Sequence, residues 1–131
     1  MNNKYSLITG GTAGIGLDIA KELAKRGHNI LLTARREERL KEISASIKEE
    51  FNVDCNYIAA DLADASAPEM IYNFCSENNY IVEILVNNAG YSINKKFHET
   101  GEDEEEKFLR VLGIAVVALT KKFIPSMLEQ K

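Results

Sequence analysis

The sequence is poor in the residues that build disulfide and metal sites. Only two of its 131 residues are cysteines, Cys55 and Cys75. No further cysteine or histidine stands near either one at the spacing of a metal site. We therefore expect both thiols to be reduced, buried and unreactive in a cytoplasmic protein.

The chain also lacks an excess of positive charge and a long hydrophobic run. Sixteen basic and twenty acidic residues give a formal net charge of −4, which does not favour nucleic acid or an anionic membrane as a partner. The longest apolar run, residues 111–119, is too short to span a bilayer. Residues 1–4 lead directly into a strand-like segment, so no signal peptide is expected. We predict a single soluble domain over residues 1–131.

Glycine is concentrated where it has most structural effect. The stretch 9–16 reads T-G-G-T-A-G-I-G, directly after an apolar run and directly before a helical pattern. Glycines let a backbone turn tightly and approach a ligand closely, and the N–H groups at the start of a helix attract anions. This context predicts a loop that binds a pyrophosphate. The alternative is an ordinary glycine-rich turn between a strand and a helix.

The spacing of these glycines distinguishes two classes of dinucleotide-binding loop. Gly10, Gly14 and Gly16 give G-x-x-x-G-x-G rather than G-x-G-x-x-G. With Thr9 before them and Ile15 between the last two, the stretch resembles the T-G-x-x-x-G-I-G motif of the short-chain dehydrogenase/reductase family. The resemblance implies a Rossmann-type α/β fold, with a parallel sheet in the strand order 3-2-1-4 and helices on both faces.

The second predicted strand, residues 29–33, ends close to two arginines. In a βαβ nucleotide-binding unit, this strand end meets the adenosine ribose of the coenzyme. A carboxylate there would favour NAD, whereas Arg35 and Arg36 are suited to the 2′-phosphate of NADP. NADP is therefore the predicted coenzyme and NAD the less favoured one. Ala13, where many NADP-preferring relatives carry a second cation, departs from that pattern, and the arginines could also be only residues of a solvated turn.

Two further motifs of the family follow at the expected places. Asp61-Leu62 comes after the third predicted strand, where the resemblance implies contacts to the adenine ring. Asp61 could alternatively be a turn residue that precedes a helix. The fourth predicted strand ends in Asn87-Asn88-Ala89-Gly90, the N-N-A-G signature that lies against the coenzyme ribose. The coenzyme-binding residues implied by the resemblance are Gly10, Gly11, Thr12, Ala13, Gly14, Ile15, Gly16, Arg35, Arg36, Asp61, Leu62, Asn87, Ala89 and Gly90.

Two helix boundaries are marked by single residues. Gly27 follows the first helical pattern and is predicted to be the residue just past its end. Ser66 and Pro68 predict the start of the third helix, with the serine as its cap and the proline in its first turn.

The catalytic part of the family pattern is not found in this sequence. Relatives carry a serine on a fifth strand and a Tyr-x-x-x-Lys helix after the segment that matches this chain. Tyr91 and Lys95 have the same spacing, but they follow the fourth strand in a predicted loop, so we assign no catalytic residue. The family's helix-borne asparagine falls on Leu112, which cannot relay a proton. The acidic run 102–106 is interpreted as a solvated helix start rather than as a metal site.

The last predicted helix, residues 104–129, is apolar on almost all sides, and Pro125 is expected to weaken or kink it. One side must pack on the sheet, and the resemblance implies that the other lies at a homo-oligomer interface. We thus expect the coenzyme-binding portion of an NAD(P)-dependent oxidoreductase that acts on an alcohol or carbonyl substrate. The alternative is a non-catalytic dinucleotide-binding or interaction module. A fragment and a natural short form are both compatible with the sequence.

Overall fold

The computed structural model describes residues 2–130, which form a four-stranded parallel sheet in the order β3-β2-β1-β4. This is the predicted order, and the alternation of strand and helix along the chain produces it. The elements are β1 (Lys4–Thr9), α1 (Gly14–Lys25), β2 (Asn29–Ala34), α2 (Glu37–Phe51), β3 (Cys55–Ala59), α3 (Ala67–Glu77), β4 (Ile81–Val86), α4 (Glu102–Leu109) and α5 (Ala115–Glu129). A short 3-10 turn covers Phe97–Glu99, and a π-helical segment over Arg110–Ile114 joins α4 to α5.

The sheet is covered on both faces, as predicted. On one face, Ile8, Ile30 and Leu32 of the strands pack with buried residues of α1 and α2. On the other face, Leu7, Leu31 and Val82 pack with α3 and α5. Because the central strands β1 and β2 are buried from both sides, they read in the sequence as nearly continuous apolar runs.

Two helix ends show how local sequence sets the boundaries. Helix α1 ends before Gly27, which has a φ of +90° and donates its N–H to the carbonyl of Ala24, as predicted for the residue after a helix. Pro68 lies in the first turn of α3 and Ser66 is the N-cap residue, as predicted, but the side chain of Ser66 makes no capping hydrogen bond. Its hydroxyl and its N–H both donate to Oδ1 of Asp64, at 2.8 and 2.9 Å. These bonds hold the pKa of Asp64 below its usual value.

The long C-terminal helix begins at Glu102, two residues earlier than predicted, and continues through α4, the π-helical segment and α5 to Glu129. Pro125 lies within α5 and does not end it. The interruption of regular α geometry occurs instead at the π-helical segment, where the chain carries no proline. Val111, Ala115, Leu119 and Phe123 are buried against the sheet.

The opposite side of this helix is exposed and apolar. Leu109, Leu112, Ile114, Val117, Ile124 and Leu128 are all exposed large hydrophobic residues. By length and composition alone, the 28-residue helix could cross a membrane, and an 18-residue window within it has a mean hydropathy of 1.7. The run 111–119 by itself is too short to span a bilayer. The whole helix is long enough, because apolar residues continue beyond Lys121 and Lys122.

Both cysteines are buried and free, as predicted. Burial raises the pKa of Cys55 to about 12 and that of Cys75 to about 11. Since the thiolate is the reactive form, thiols with these pKa values are unreactive at neutral pH.

Candidate functional site

A cavity of ≈ 440 Å³ lies at the carboxyl ends of the strands, where α/β sheets commonly bind ligands. Its volume falls in the usual range for small-molecule sites. The walls come from the loop after β1, the ends of β2 and β3, the segment after β4 and the long helix. The lining residues are Gly10, Thr12, Ala13, Thr33, Ala34, Arg35, Arg36, Ala60, Asp61, Leu62, Ala63, Ala89, Gly90, Tyr91, Lys107 and Val111.

The glycine loop forms the wall between β1 and α1. Gly10 and Gly14 have φ values of +65° and +54°, which side-chain-bearing residues rarely adopt. The N–H of Gly10 donates to the carbonyl of Thr33 at 2.9 Å, which ties the turn to β2. Helix α1 starts at Gly14, so the N–H groups of its first turn lie at the end of this loop. A backbone of this shape beside a cavity fits a pyrophosphate.

Thr9 and Asn88 brace the loop against the end of β4. The Thr9 hydroxyl accepts hydrogen bonds from the N–H groups of Asn88 and Ala89, at 3.0 and 2.9 Å. The Asn88 side chain donates to the carbonyl oxygens of Thr9 and Gly10, at 3.2 and 3.1 Å. Gly16 makes this close approach possible, because a Cβ there would lie 2.3 Å from Asn88 Nδ2. Two distant motifs thus form one structural unit.

The charged groups of the cavity lie at the tips of β2 and β3. Arg35 and Arg36 follow β2 and line the cavity, and Asp61 lies at the end of the neighbouring strand. One Asp61 oxygen, Oδ1, accepts the N–H of Ala63 at 2.9 Å. Asp61 is therefore a turn residue and a cavity residue at once, so the two interpretations of it are compatible.

Five of the residues singled out from the sequence do not line the cavity. Gly11 is buried against Leu32, where a Cβ would come within 2.6 Å of the leucine Cδ2. Gly14 and Ile15 open α1, and the Ile15 side chain is exposed. Gly16 packs on Asn88, whereas the amide of Asn87 donates to the hydroxyl of Thr120 at 3.2 Å. In this structure Asn87 and Gly16 shape the surroundings of the cavity rather than its walls.

Several cavity residues were missed by sequence reasoning. Ala60 and Ala63 flank the Asp61-Leu62 pair, and their position next to that motif was an available signal. Lys107 and Val111 come from the long helix, four residues apart and therefore on one face. No local pattern shows which face of that helix meets the strand ends, because this depends on how the helix docks on the sheet.

The Tyr-x-x-x-Lys spacing at Tyr91 and Lys95 does not form a helical pair. Both residues lie in the irregular segment after β4, as predicted. The Lys95 ammonium donates to both carboxylate oxygens of Glu104, at 2.9 and 3.1 Å, and this contact lowers the pKa of Glu104. Tyr91 lines the cavity and packs edge-on against Phe108, with 5.4 Å between the ring centroids. The side chains of Tyr91 and Lys95 therefore contact different partners.

Leu112 packs so closely over Gly90 that a Cβ added at Gly90 would lie 2.6 Å from the Cδ2 of Leu112. An apolar side chain therefore stands at the position that the resemblance assigns to an asparagine. Among residues 2–130, no group of three or more His, Cys, Asp or Glu side chains is arranged to hold a metal ion.

Comparison with known proteins identifies the family of the chain. The family model for short chain dehydrogenases matches residues 4–131. The chain belongs to the short-chain dehydrogenase family. The very-long-chain 3-oxoacyl-CoA reductase of Rattus norvegicus is 34% identical over 131 residues, which cover 97% of this chain and 41% of that protein. The fatty acyl-CoA reductase of Acinetobacter baylyi is 32% identical over 133 residues, which cover 100% of this chain and 45% of that protein.

Solved short-chain dehydrogenases share the fold described above. The L-sorbose reductase from Gluconobacter frateurii, solved with NADPH and L-sorbose, has a TM-score of 0.91 and 33% identity. The match covers 99% of this chain and 49% of that one. A short-chain dehydrogenase from Sphingobium yanoikuyae, solved with NADPH, has a TM-score of 0.89 and 28% identity, with 97% of this chain and 49% of that one covered. This chain thus spans less than half the length of these relatives.

Proposed function

We propose that residues 1–131 bind NADP as the coenzyme-binding portion of an oxidoreductase that interconverts an alcohol and a carbonyl compound. The observation that carries the proposal is the cavity at the strand ends, which combines the glycine loop at the start of α1 with Arg35, Arg36 and Asp61. Relatives solved with NADPH support the coenzyme, and relatives named as reductases support the reaction. When bound, the nicotinamide ring supplies the hydride chemistry.

Each segment in or next to the cavity has a separate task in this proposal. The loop Gly10–Gly16 holds the pyrophosphate through N–H groups, and the segment Asn87–Gly90 supports the adjoining ribose. The Arg35 and Arg36 guanidinium groups meet the 2′-phosphate. One oxygen of the Asp61 carboxylate accepts the N–H of Ala63, and the other accepts a hydrogen bond from the adenine amino group. Leu62 contacts the adenine ring.

The proposal predicts that the chain binds NADPH more tightly than NADH and that Arg35→Ala removes most of this difference. A charge-assisted hydrogen bond contributes about 1.5–3 kcal/mol, so NADPH affinity should fall roughly ten- to a hundredfold. Calorimetric titration of both coenzymes measures this.

Arg39→Ala is the matched control, because Arg39 is exposed on α2, pairs weakly with Glu42 at 3.9 Å and does not line the cavity. Its NADPH affinity should equal that of the unmodified chain. Equal affinity of the unmodified chain for NADPH and NADH would contradict the assignment of Arg35.

A second proposal concerns the exposed apolar side of the long helix, which we infer to pack against a second copy of the chain. The same helix buries Leu119 and Phe123 against the sheet, which suits a protein interface better than a lipid one. Val117→Glu should therefore shift the chain from a dimer or larger assembly towards the monomer, as measured by sedimentation velocity. A monomeric unmodified chain would refute this interface.

The location and the extent of the protein are also proposals. Two free, buried thiols are compatible with the reducing cytoplasm, and cell fractionation would test that location. Sequencing the coding DNA beyond residue 131 would test whether the chain is the front portion of an enzyme. A downstream serine and Tyr-x-x-x-Lys in frame would support the oxidoreductase, and their absence would favour the alternative of a dinucleotide-binding or interaction module.

A further inference from the structure

Thr120 on α5 is joined to the end of β4 by a hydrogen bond between two side chains. The Asn87 amide donates from Nδ2 to Oγ1 of Thr120, at 3.2 Å. The Thr120 hydroxyl in turn donates to the carbonyl of Val116, one turn earlier in the helix, at 2.6 Å. A hydroxyl has a single proton, so its use on Val116 leaves the oxygen free to accept from Asn87.

Asn87 opens the segment 87–90, whose last two residues line the cavity. Neither Asn87 nor Thr120 lines the cavity itself. Two backbone N–H groups of the segment donate to the Thr9 hydroxyl, at 3.0 and 2.9 Å. The segment is thus joined to the glycine loop through Thr9 and to the long helix through Thr120.

The long helix contacts the same segment at a second point, where Leu112 packs over Gly90. That contact is apolar and sets no direction, because dispersion and burial depend on closeness alone. A hydrogen bond, in contrast, has a preferred distance and angle. Thr120 is therefore the group of this helix that is best suited to fix the position of the segment.

We propose that Thr120 is a positioning residue for the coenzyme, which acts by holding Asn87 and, through it, the segment 87–90. This inference rests on the proposed coenzyme binding, because it concerns the segment that supports a ribose. In the strand order, β2 and β4 lie on opposite sides of β1. A coenzyme whose 2′-phosphate meets Arg35 and whose pyrophosphate lies on the glycine loop therefore directs its nicotinamide half towards this segment.

Two other roles of the bond lead to different expectations. If the bond only stabilises the packing of α5, its loss lowers the resistance to denaturant and leaves the affinity of the folded chain for coenzyme unchanged. If its loss loosens the cavity as a whole, every ligand of the cavity is weakened alike. Positioning of the segment 87–90 predicts instead a loss that is confined to ligands with a nicotinamide ribose.

The test measures the dissociation constants of NADP and of adenosine 2′,5′-bisphosphate by calorimetry for the unmodified chain and for Thr120→Val. The bisphosphate carries the adenine, its ribose and the 2′-phosphate but has no nicotinamide ribose. We expect Thr120→Val to weaken NADP about three- to tenfold, the effect of losing one neutral hydrogen bond, and to leave the bisphosphate unchanged. Thr120→Ser keeps the hydroxyl and should restore the affinity for NADP.

Ser126→Ala is the matched control on the same helix. The Ser126 hydroxyl also accepts from a side-chain amide, that of Gln130, at 3.2 Å, and it does not line the cavity. Its removal should leave NADP binding unchanged. Asn87→Ala removes the proposed contact from the other side, so it also serves if Thr120→Val does not fold. It should weaken NADP by the same factor as Thr120→Val, and the double variant should weaken NADP no further.

Amide hydrogen exchange in the free chain gives a measurement that needs no coenzyme. The N–H groups of Asn88 and Ala89 are bonded to Thr9, and they should exchange faster in Thr120→Val. The N–H of Gly10 is bonded to the carbonyl of Thr33 and should exchange at an unchanged rate.

Each contrary result has a distinct meaning. Unchanged NADP affinity in Thr120→Val would overturn the inference and leave only a packing bond. An equal loss for NADP and the bisphosphate, or a loss that Thr120→Ser does not restore, would also overturn it. If the unmodified chain bound no coenzyme, the proposed function would fail. Amide exchange would still decide whether Thr120 holds the segment, and equal rates in the unmodified chain and Thr120→Val would show that it does not.

Discussion

Replacing Gly16 with alanine is expected to abolish coenzyme binding and to lower the free energy of unfolding. The added Cβ would lie 2.3 Å from Asn88 Nδ2 and 2.4 Å from the carbonyl oxygen of Gly10. One of these contacts is backbone, so it cannot be relieved by turning a flexible side chain. Forcing an extra carbon into a packed contact costs about 1–3 kcal/mol, and here the part that must move is the loop beside the cavity. Chemical denaturation and coenzyme calorimetry measure the two effects.

Two other glycines separate loss of the loop from loss of the fold. Gly101 has no atom within 4 Å of a would-be Cβ and an ordinary φ of −83°, so Gly101→Ala should change neither stability nor binding greatly. Gly14 has equal space but a φ of +54°, so Gly14→Val strains the backbone at the start of α1 without a collision. We expect a folded domain that has lost coenzyme binding. Unchanged binding in both Gly16→Ala and Gly14→Val would mean that the loop is only a turn.

The strand order and the position of the loop could be predicted because each depends on local patterns. Four apolar runs alternating with helical segments allow few arrangements, and the glycine spacing selects one of them. The end of each strand is also local information, so the sequence alone is enough to place Arg35, Asp61 and Gly90 at the strand ends. All three line the cavity.

The remaining cavity residues depend on contacts between distant segments. Lys107 on α4 and Val111 in the π-helical segment line the cavity because of how the long helix packs in three dimensions, and nothing in their neighbourhood in the sequence reveals that face. Adjacent identical residues raise a similar difficulty, since Asn88 braces the glycine loop while Asn87 bonds Thr120. At Ser66, the cap pattern is present, but the nearby Asp64 carboxylate binds its hydroxyl instead.

The π-helical segment at Arg110–Ile114 also has no signal in the sequence. Pro125 is the obvious candidate for an irregularity, yet the helix passes through it to Glu129. The segment instead lies where Leu112 packs over Gly90 and where Val111 turns towards the cavity. Such segments are frequent at functional sites, which agrees with its position beside the proposed coenzyme pocket.

Residues 1–131 by themselves are expected to show no dehydrogenase activity on alcohol or carbonyl substrates, even when coenzyme is bound. Proton transfer by a correctly placed group contributes about 10²- to 10⁴-fold to a rate, and orientation of the reactants can contribute more. The asparagine position of the family is Leu112, which has no donor or acceptor. Coenzyme absorbance at a range of substrates measures the rate against coenzyme alone.

Tyr91 and Lys95 decide how a positive result would be interpreted. Tyr91 carries a phenol and lines the cavity from the segment after β4. In the family, the lysine acts by lying one helical turn from the tyrosine, whereas here the Lys95 ammonium is bonded to Glu104. No turnover in the unmodified chain and in Tyr91→Phe is the expected result. Turnover that vanished in Tyr91→Phe but survived in Lys95→Met would make Tyr91 a proton donor that acts without the lysine. Turnover lost in both variants would instead require Lys95 to leave Glu104 and pair with Tyr91 when coenzyme binds.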